Sequence, residues 1–98
     1  MERTKVFEII EKERTYQDQT YKPSEVLGGS GLTRGERDRD VTAHMVLLDL
    51  YVNKAKEAWN VKGDNRPALQ QIAKIAAIAT RAIERAANDD YLVTHGLR

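Results

Sequence analysis

The chain has 98 residues, no cysteine, and a net charge of +1 from 16 basic and 15 acidic side chains. The absence of cysteine excludes a disulfide framework, a thiolate metal site and a cysteine nucleophile. The balanced charge gives no support to nucleic-acid binding. Since no apolar run approaches roughly 18 residues and no signal peptide is evident, we expect one soluble, cytoplasmic domain that does not enter a membrane.

The first predicted element is a helix over residues 1–16. Its one apolar patch is short and consists of Val6, Phe7, Ile9 and Ile10, so the helix needs another element to dock on. Pro23 forbids a helix interior, and residues 17–35 are therefore expected to form a connecting loop. Four glycines lie within 28–35, but their spacing fits neither G-x-G-x-x-G nor a P-loop. That mismatch favours a plain connection over a phosphate-cradling loop.

Residues 36–87 are expected to form an antiparallel helical hairpin, with helices at about 41–61 and 66–87. Thr33-x-x-Glu36 is a capping-box pattern and Asp40 is a second possible N-cap, so either can start the first helix. Helical spacing in the first of these predicts one apolar stripe, made of Val41, Met45, Leu48, Val52, Ala55 and Trp59. Gly63 suits the left-handed position after a helix, and Asn65 suits the N-cap of the next. Residues 88–98 are interpreted as a short tail.

The second helix of the hairpin carries two apolar stripes. The main stripe is Leu69, Ile72, Ala76, Ala79, Ile83 and Ala86, and the second is Ile75, Ile78 and Ala82. One partner helix cannot cover both, and monomers rarely expose large apolar patches. We therefore expect a homo-oligomer, a dimer or a dimer of dimers, in which two hairpins complete a four-helix bundle and Ile78 lies in the subunit interface.

Four segments carry a resemblance to a known family: Glu-Lys-Glu-Arg-x-x-Gln-Asp at 11–18, Leu47–Trp59, the turn Lys62–Asn65, and Ala68–Glu84. Together they resemble the small, all-α, MazG-like nucleoside triphosphate pyrophosphohydrolases found in phages and bacteria. In that family an E-x-x-E on one hairpin helix and an E-x-x-D on the other hold Mg²⁺, which activates water against a triphosphate. The resemblance covers about residues 5–87.

The acids of the family site are missing from this chain. Between Val41 and Val61 the acids are Asp49 and Glu57 alone, and between Pro67 and Ala87 there is Glu84 alone. No register gives two acid pairs at spacing three. We therefore predict no metal site, no cofactor and no catalytic residue of the family type. His44 and His95 are interpreted as ordinary polar or structural histidines, since neither lies in a ligand-spaced cluster.

Alignment on the resemblance replaces the four acids with Tyr51, Lys54, Gln71 and Lys74. Lysines bind phosphate directly as point charges, a tyrosine can stack on a base, and a glutamine can donate hydrogen bonds. The candidate ligand contacts are Tyr16, Lys22, Tyr51, Lys54, Gln71 and Lys74, and the candidate ligand is a nucleotide or cyclic nucleotide held without hydrolysis.

Two alternatives stay open. In the first, the hairpin is only a scaffold for partner binding, with the lysines reaching into water. In the second, the protein is an active pyrophosphohydrolase whose metal site uses other acids, namely Glu8, Glu11, Glu13, Asp18, Asp49 or Glu57.

Overall fold

The computed structural model describes residues 1–20, 34–59, 63–86 and 91–98, with the backbone alone for 34–40 and 86. These residues form four helices: α1 (Arg3–Thr20), α2 (Arg34–Trp59), α3 (Arg66–Ala86) and α4 (Tyr91–His95). No strand occurs in the described part of the chain. The all-α fold class is confirmed.

Two helices are longer than their apolar stripes indicated. Helix α1 continues to Thr20, past the predicted end at residue 16. Helix α2 begins at Arg34, where the capping-box pattern at 33–36 starts it, and not after Asp40. The added first turns of α2 are highly charged in sequence. A search for apolar residues at helical spacing does not find these turns, because they carry no apolar stripe.

The hairpin turn follows the capping rules. Gly63 adopts a left-handed φ of 72°, as a residue that ends a helix commonly does. The amide of Leu69 donates to the carbonyl of Asn65 at 2.9 Å, which places Asn65 at the N-cap of α3. The side-chain cap comes from Asp64, whose Oδ1 accepts the amide of Arg66 at 3.0 Å.

The predicted tail contains the short helix α4. Its contacts are internal: the Tyr91 and His95 rings stack with centroids 4.4 Å apart, and the Gly96 amide donates to Leu92 at 2.8 Å. Among the described residues, α4 packs on none of the other three helices.

Helix α3 is the centre of the fold. Helices α2 and α1 both pack on it, and within the described residues they do not pack on each other. The buried apolar residues of this described part are Ala68, Ala77 and Ile78, all on α3. No large side chain described is fully buried, so the chain alone forms a thin core.

The two apolar stripes of α3 have different surroundings. Ile78 of the second stripe is 7% exposed, so it belongs to the core of the single chain and the prediction that it lies in a subunit interface is wrong. Leu69, Ile72 and Ile83 of the main stripe are about half exposed. The described helices therefore leave these three large side chains of the main stripe largely uncovered.

The predicted stripe of α2 is only partly covered. Val41, Leu48 and Val52 are half-buried against the rest of the fold, whereas Met45 and Trp59 are mostly exposed. His44, on the same side of α2, is buried at 3% exposure.

Candidate functional site

A groove of about 410 Å³ lies between α1 and α2, with α3 as its floor. It is lined by Glu13, Tyr16 and Gln17 of α1, Leu47 and Tyr51 of α2, and Lys74, Ile78 and Arg81 of α3. The groove exists because α1 and α2 each pack on α3 without closing on each other. Its volume falls in the range typical of small-molecule sites, about 300–1,000 Å³.

Helical spacing brings these side chains to the groove. Residues three or four apart share a helix face, and each wall follows that rule: 13, 16 and 17 on α1, 47 and 51 on α2, and 74, 78 and 81 on α3. The walls are therefore single faces of regular helices, which hold side chains more rigidly than loops do.

Three of the six sequence-predicted contacts, Tyr16, Tyr51 and Lys74, line this groove together. Tyr16 is more than half exposed at the groove, so much of its surface is accessible to a ligand. Tyr51 and Lys74 are partly buried. The three residues come from three different helices, and only the tertiary packing brings them to one place.

Lys54 lies beside the groove and contacts one of its walls. Its Nζ is 4.6 Å from the centroid of the Tyr51 ring, within the range of a cation–π interaction. Lys54 therefore covers one face of that ring.

The remaining two predicted contacts lie elsewhere. Gln71 is half-buried on α3 and does not line the groove; its Oε1 is buried and makes no hydrogen bond in the described structure. Lys22 lies outside the described residues.

The predicted ligand contacts did not include several groove residues, of which Arg81 and Glu13 carry charge. Glu13 was named only as an acid for an alternative metal site. Arg81 is seven residues after Lys74 and thus two helical turns along the same face, a signal that the sequence does contain. Glu13 is three residues before Tyr16 on α1. The groove holds two cationic groups, Lys74 and Arg81, and one carboxylate, so its charge favours an anion.

A buried arginine fixes the α1 wall. Arg14 is 9% exposed, and its Nη1 donates to Gln17 Oε1 at 3.3 Å and to Asp18 Oδ1 at 3.0 Å. Its Nε donates to Glu84 Oε1 at 3.2 Å, and its Nη2 donates to Glu84 Oε2. The hydrogen bonds that Arg14 donates to Glu84 raise the pKa of Arg14 above its usual value, against the lowering effect of burial. Gln17, a groove residue, is thereby tied to α3.

The acids considered for an alternative metal site are dispersed. Glu8 and Glu11 lie on an open surface of α1, and Glu13 lines the groove. Asp18 pairs with Arg14, and Asp49 and Glu57 are exposed on α2. Within the described ranges, no group of three or more His, Cys, Asp or Glu side chains is placed to hold a metal ion.

No protein-family model, curated protein or solved structure matches this chain. None of the helices in the described part of the chain is long and apolar enough to cross a membrane.

Proposed function

We propose that the protein binds a small anionic ligand with an aromatic ring, such as a nucleotide or cyclic nucleotide, without hydrolysing it. The observation that carries this proposal is the groove itself, which combines two tyrosines, Tyr16 and Tyr51, with two cationic side chains, Lys74 and Arg81. Aromatic rings stack on bases, and lysine and arginine neutralise phosphate.

Lys74 and Arg81 would bind phosphate in different ways. Lysine acts as a compact point charge, whereas the planar guanidinium of arginine can form two parallel hydrogen bonds. Glu13 on the α1 wall limits the negative charge that the groove accepts near it, and a carboxylate can accept hydrogen bonds from sugar hydroxyl or base amino groups.

The resemblance to MazG-like proteins supports the same ligand class. Those proteins bind nucleoside triphosphates between hairpin helices through metal-holding acids, and this chain has Tyr51, Lys54, Gln71 and Lys74 at the aligned positions. A degenerate member would retain a nucleotide-sized groove and bind phosphate by lysine. We expect no Mg²⁺-dependent pyrophosphate release; release that is abolished by Asp49→Ala or Glu57→Ala would contradict the non-catalytic assignment.

A thermal-shift screen without added Mg²⁺ tests the proposal. Mono-, tri- and cyclic nucleotides and inorganic phosphate are the probes, and a ligand at a hundred times its dissociation constant stabilises the folded state by about 2.7 kcal/mol. We expect stabilisation by at least one nucleotide and a smaller effect of phosphate alone. No stabilisation by any nucleotide at millimolar concentration would contradict the proposal.

Matched variants locate the binding. Lys74→Gln, in the groove, should reduce the nucleotide-induced shift, whereas Lys56→Gln, on the exposed side of α2, should preserve it. Equal loss in both variants would indicate attraction to the overall charge of the protein instead of a defined groove.

A second candidate function is that of an interaction scaffold, favoured by the large apolar side chains that the described helices leave exposed. Partner binding that survives both Lys54→Ala and Lys74→Ala, in a protein that no nucleotide stabilises, would favour the scaffold over the ligand-binding function.

A further inference from the structure

The hairpin has an apolar surface on the side away from the groove. We call it the hairpin face and define it by five side chains that are 50–67% exposed: Met45 and Trp59 on α2, and Leu69, Ile72 and Ile83 on α3. A monomer seldom leaves so many large apolar side chains exposed on one side.

The position of this face follows from helix geometry. At 100° per residue, Leu69, Ile72, Ala76 and Ile83 lie within about 60° of one another around α3, on the side away from Lys74 and Arg81. On α2, Leu47 lines the groove, and Met45 and Trp59 lie on the other flank. The hairpin face and the groove are therefore separate surfaces.

We propose that a second copy of this chain covers the hairpin face. Its strip of α3 is free of charge, since 69, 72, 76, 79, 80 and 83 are Leu, Ile, Ala, Ala, Thr and Ile. The strip is also symmetric in sequence: Leu69 and Ile83 are each seven residues from Ala76. Two antiparallel copies of α3 that cross at Ala76 place Leu69 against Ile83 of the partner subunit, and the same contact recurs across the two-fold axis.

The size of the hairpin face fits a dimer. Helix α3 has 21 residues and is about 31 Å long. Two helices side by side are about 20 Å wide. The product of this length and width is a flat area of roughly 600 Å², and the accessible surface of such a ridged face is larger than its flat area. A standard stable interface takes about 800 Å² from each partner. Alanines at 76 and 79 permit the close helix approach that a central crossing needs.

The thin core of the single chain supports the same occupant. The described residues include no fully buried large side chain, and a chain of this length that lacks a sufficient core commonly gains stability by oligomerisation. A copy of the same chain supplies an equally apolar, equally uncharged surface, so neither subunit buries an unpaired charge.

Light scattering on matched variants tests the interface. We expect the wild-type chain to have the mass of two chains or a multiple of two at micromolar concentration. Ile72→Glu should give the mass of one chain with helical circular dichroism retained, because the residue is half exposed in the single chain. Gln70→Glu, an exposed neighbour outside the strip, should keep the wild-type mass. A wild-type mass of one chain, or an Ile72→Glu mass equal to wild type, would overturn the proposal.

A cysteine cross-link tests the two-fold geometry even if Ile72→Glu fails to fold. The chain has no cysteine, so Ala76→Cys introduces one thiol at the proposed axis. A disulfide requires Cα atoms about 4.4–6.8 Å apart, which two copies meet only where the helices cross closely. We expect oxidation to give rapid, nearly complete dimer for Ala76→Cys and little for Gln70→Cys. Equal or slower cross-linking at position 76 would overturn the proposed crossing.

Discussion

The guanidinium of Arg14 on α1 pairs with the carboxylate of Glu84 on α3, seventy residues away in the sequence. Two of its nitrogens donate to the two carboxylate oxygens, a fork geometry that fixes orientation as well as distance. Arg14 also holds Gln17, which lines the groove. The pair therefore connects the attachment of α1 to the shape of the candidate site.

The Arg14–Glu84 pair should show a measurable coupling energy. Glu84→Ala leaves a buried guanidinium with Asp18 and Gln17 as its remaining partners, and we expect a loss of about 1–2 kcal/mol in the free energy of unfolding. Arg14→Met should cost less, because the Glu84 side chain is half exposed and can be hydrated. The free energy of unfolding that the double variant loses should be about 0.5–1.5 kcal/mol smaller than the sum of the two single losses.

Urea unfolding at fixed protein concentration measures this cycle. Glu57→Ala is the control, since Glu57 is exposed on α2 and a surface substitution of this kind changes stability by less than about 0.5 kcal/mol. Strictly additive losses in the double variant would show that the two side chains do not stabilise each other.

The left-handed glycine of the hairpin turn should be sensitive to substitution. A Cβ at Gly63 meets nothing within 4 Å, so Gly63→Ala adds no clash and its cost is conformational, from the φ of 72°. We expect a loss of about 1 kcal/mol in the free energy of unfolding, and a smaller loss for Gly63→Asn, because asparagine tolerates this conformation better.

Gly96 offers a matched comparison for this prediction. It has a φ of 70° and equally open surroundings, but it follows α4, which packs on no other described helix. Gly96→Ala should therefore strain a local turn and leave the midpoint of thermal unfolding unchanged. An equal fall in the midpoint for both alanine variants would mean that α4 contributes to the cooperative fold.

The cap of α3 should contribute to the acid sensitivity of the protein. Hydrogen bonds from the Arg66 side chain and backbone lower the pKa of Asp64 below its ordinary value of 3.8. A group whose folded-state pKa is lowered stabilises the fold fully above the unfolded pKa, and this contribution is lost as the pH falls through the folded-state value. The stability difference between wild type and Asp64→Ala should therefore be constant above about pH 5 and shrink at lower pH.

Thermal unfolding of both proteins over that pH range measures the effect. Asp49→Ala on the exposed surface of α2 serves as the carboxylate control, and its difference from wild type should stay small throughout. A wild-type advantage over Asp64→Ala that grows on acidification would contradict the assigned direction of the pKa shift.

Local rules were sufficient for much of the fold. The all-α class follows from apolar spacing and from the absence of any strand pattern, and the bounds of α3 follow from Pro67 in its first turn and the polar residues after it. The left-handed conformation of Gly63 was predicted from residue type alone. Capping and periodicity act over a few residues, so they are readable without the rest of the chain.

Long-range packing decided what lies on each face. The sequence shows that α3 is apolar on two sides, but only the placement of α1 and α2 determines that Ile78 is buried and Ile72 half exposed. The candidate site depends on the same placement. Tyr51 and Lys74 were predicted together from the aligned family site, with Tyr16 as a further contact, and Arg81 and Glu13 join them because three helix faces meet at one groove. The Arg14–Glu84 pair has no signature in the sequence, because an ion pair across seventy residues depends on where two helices come to rest and not on their own spacing.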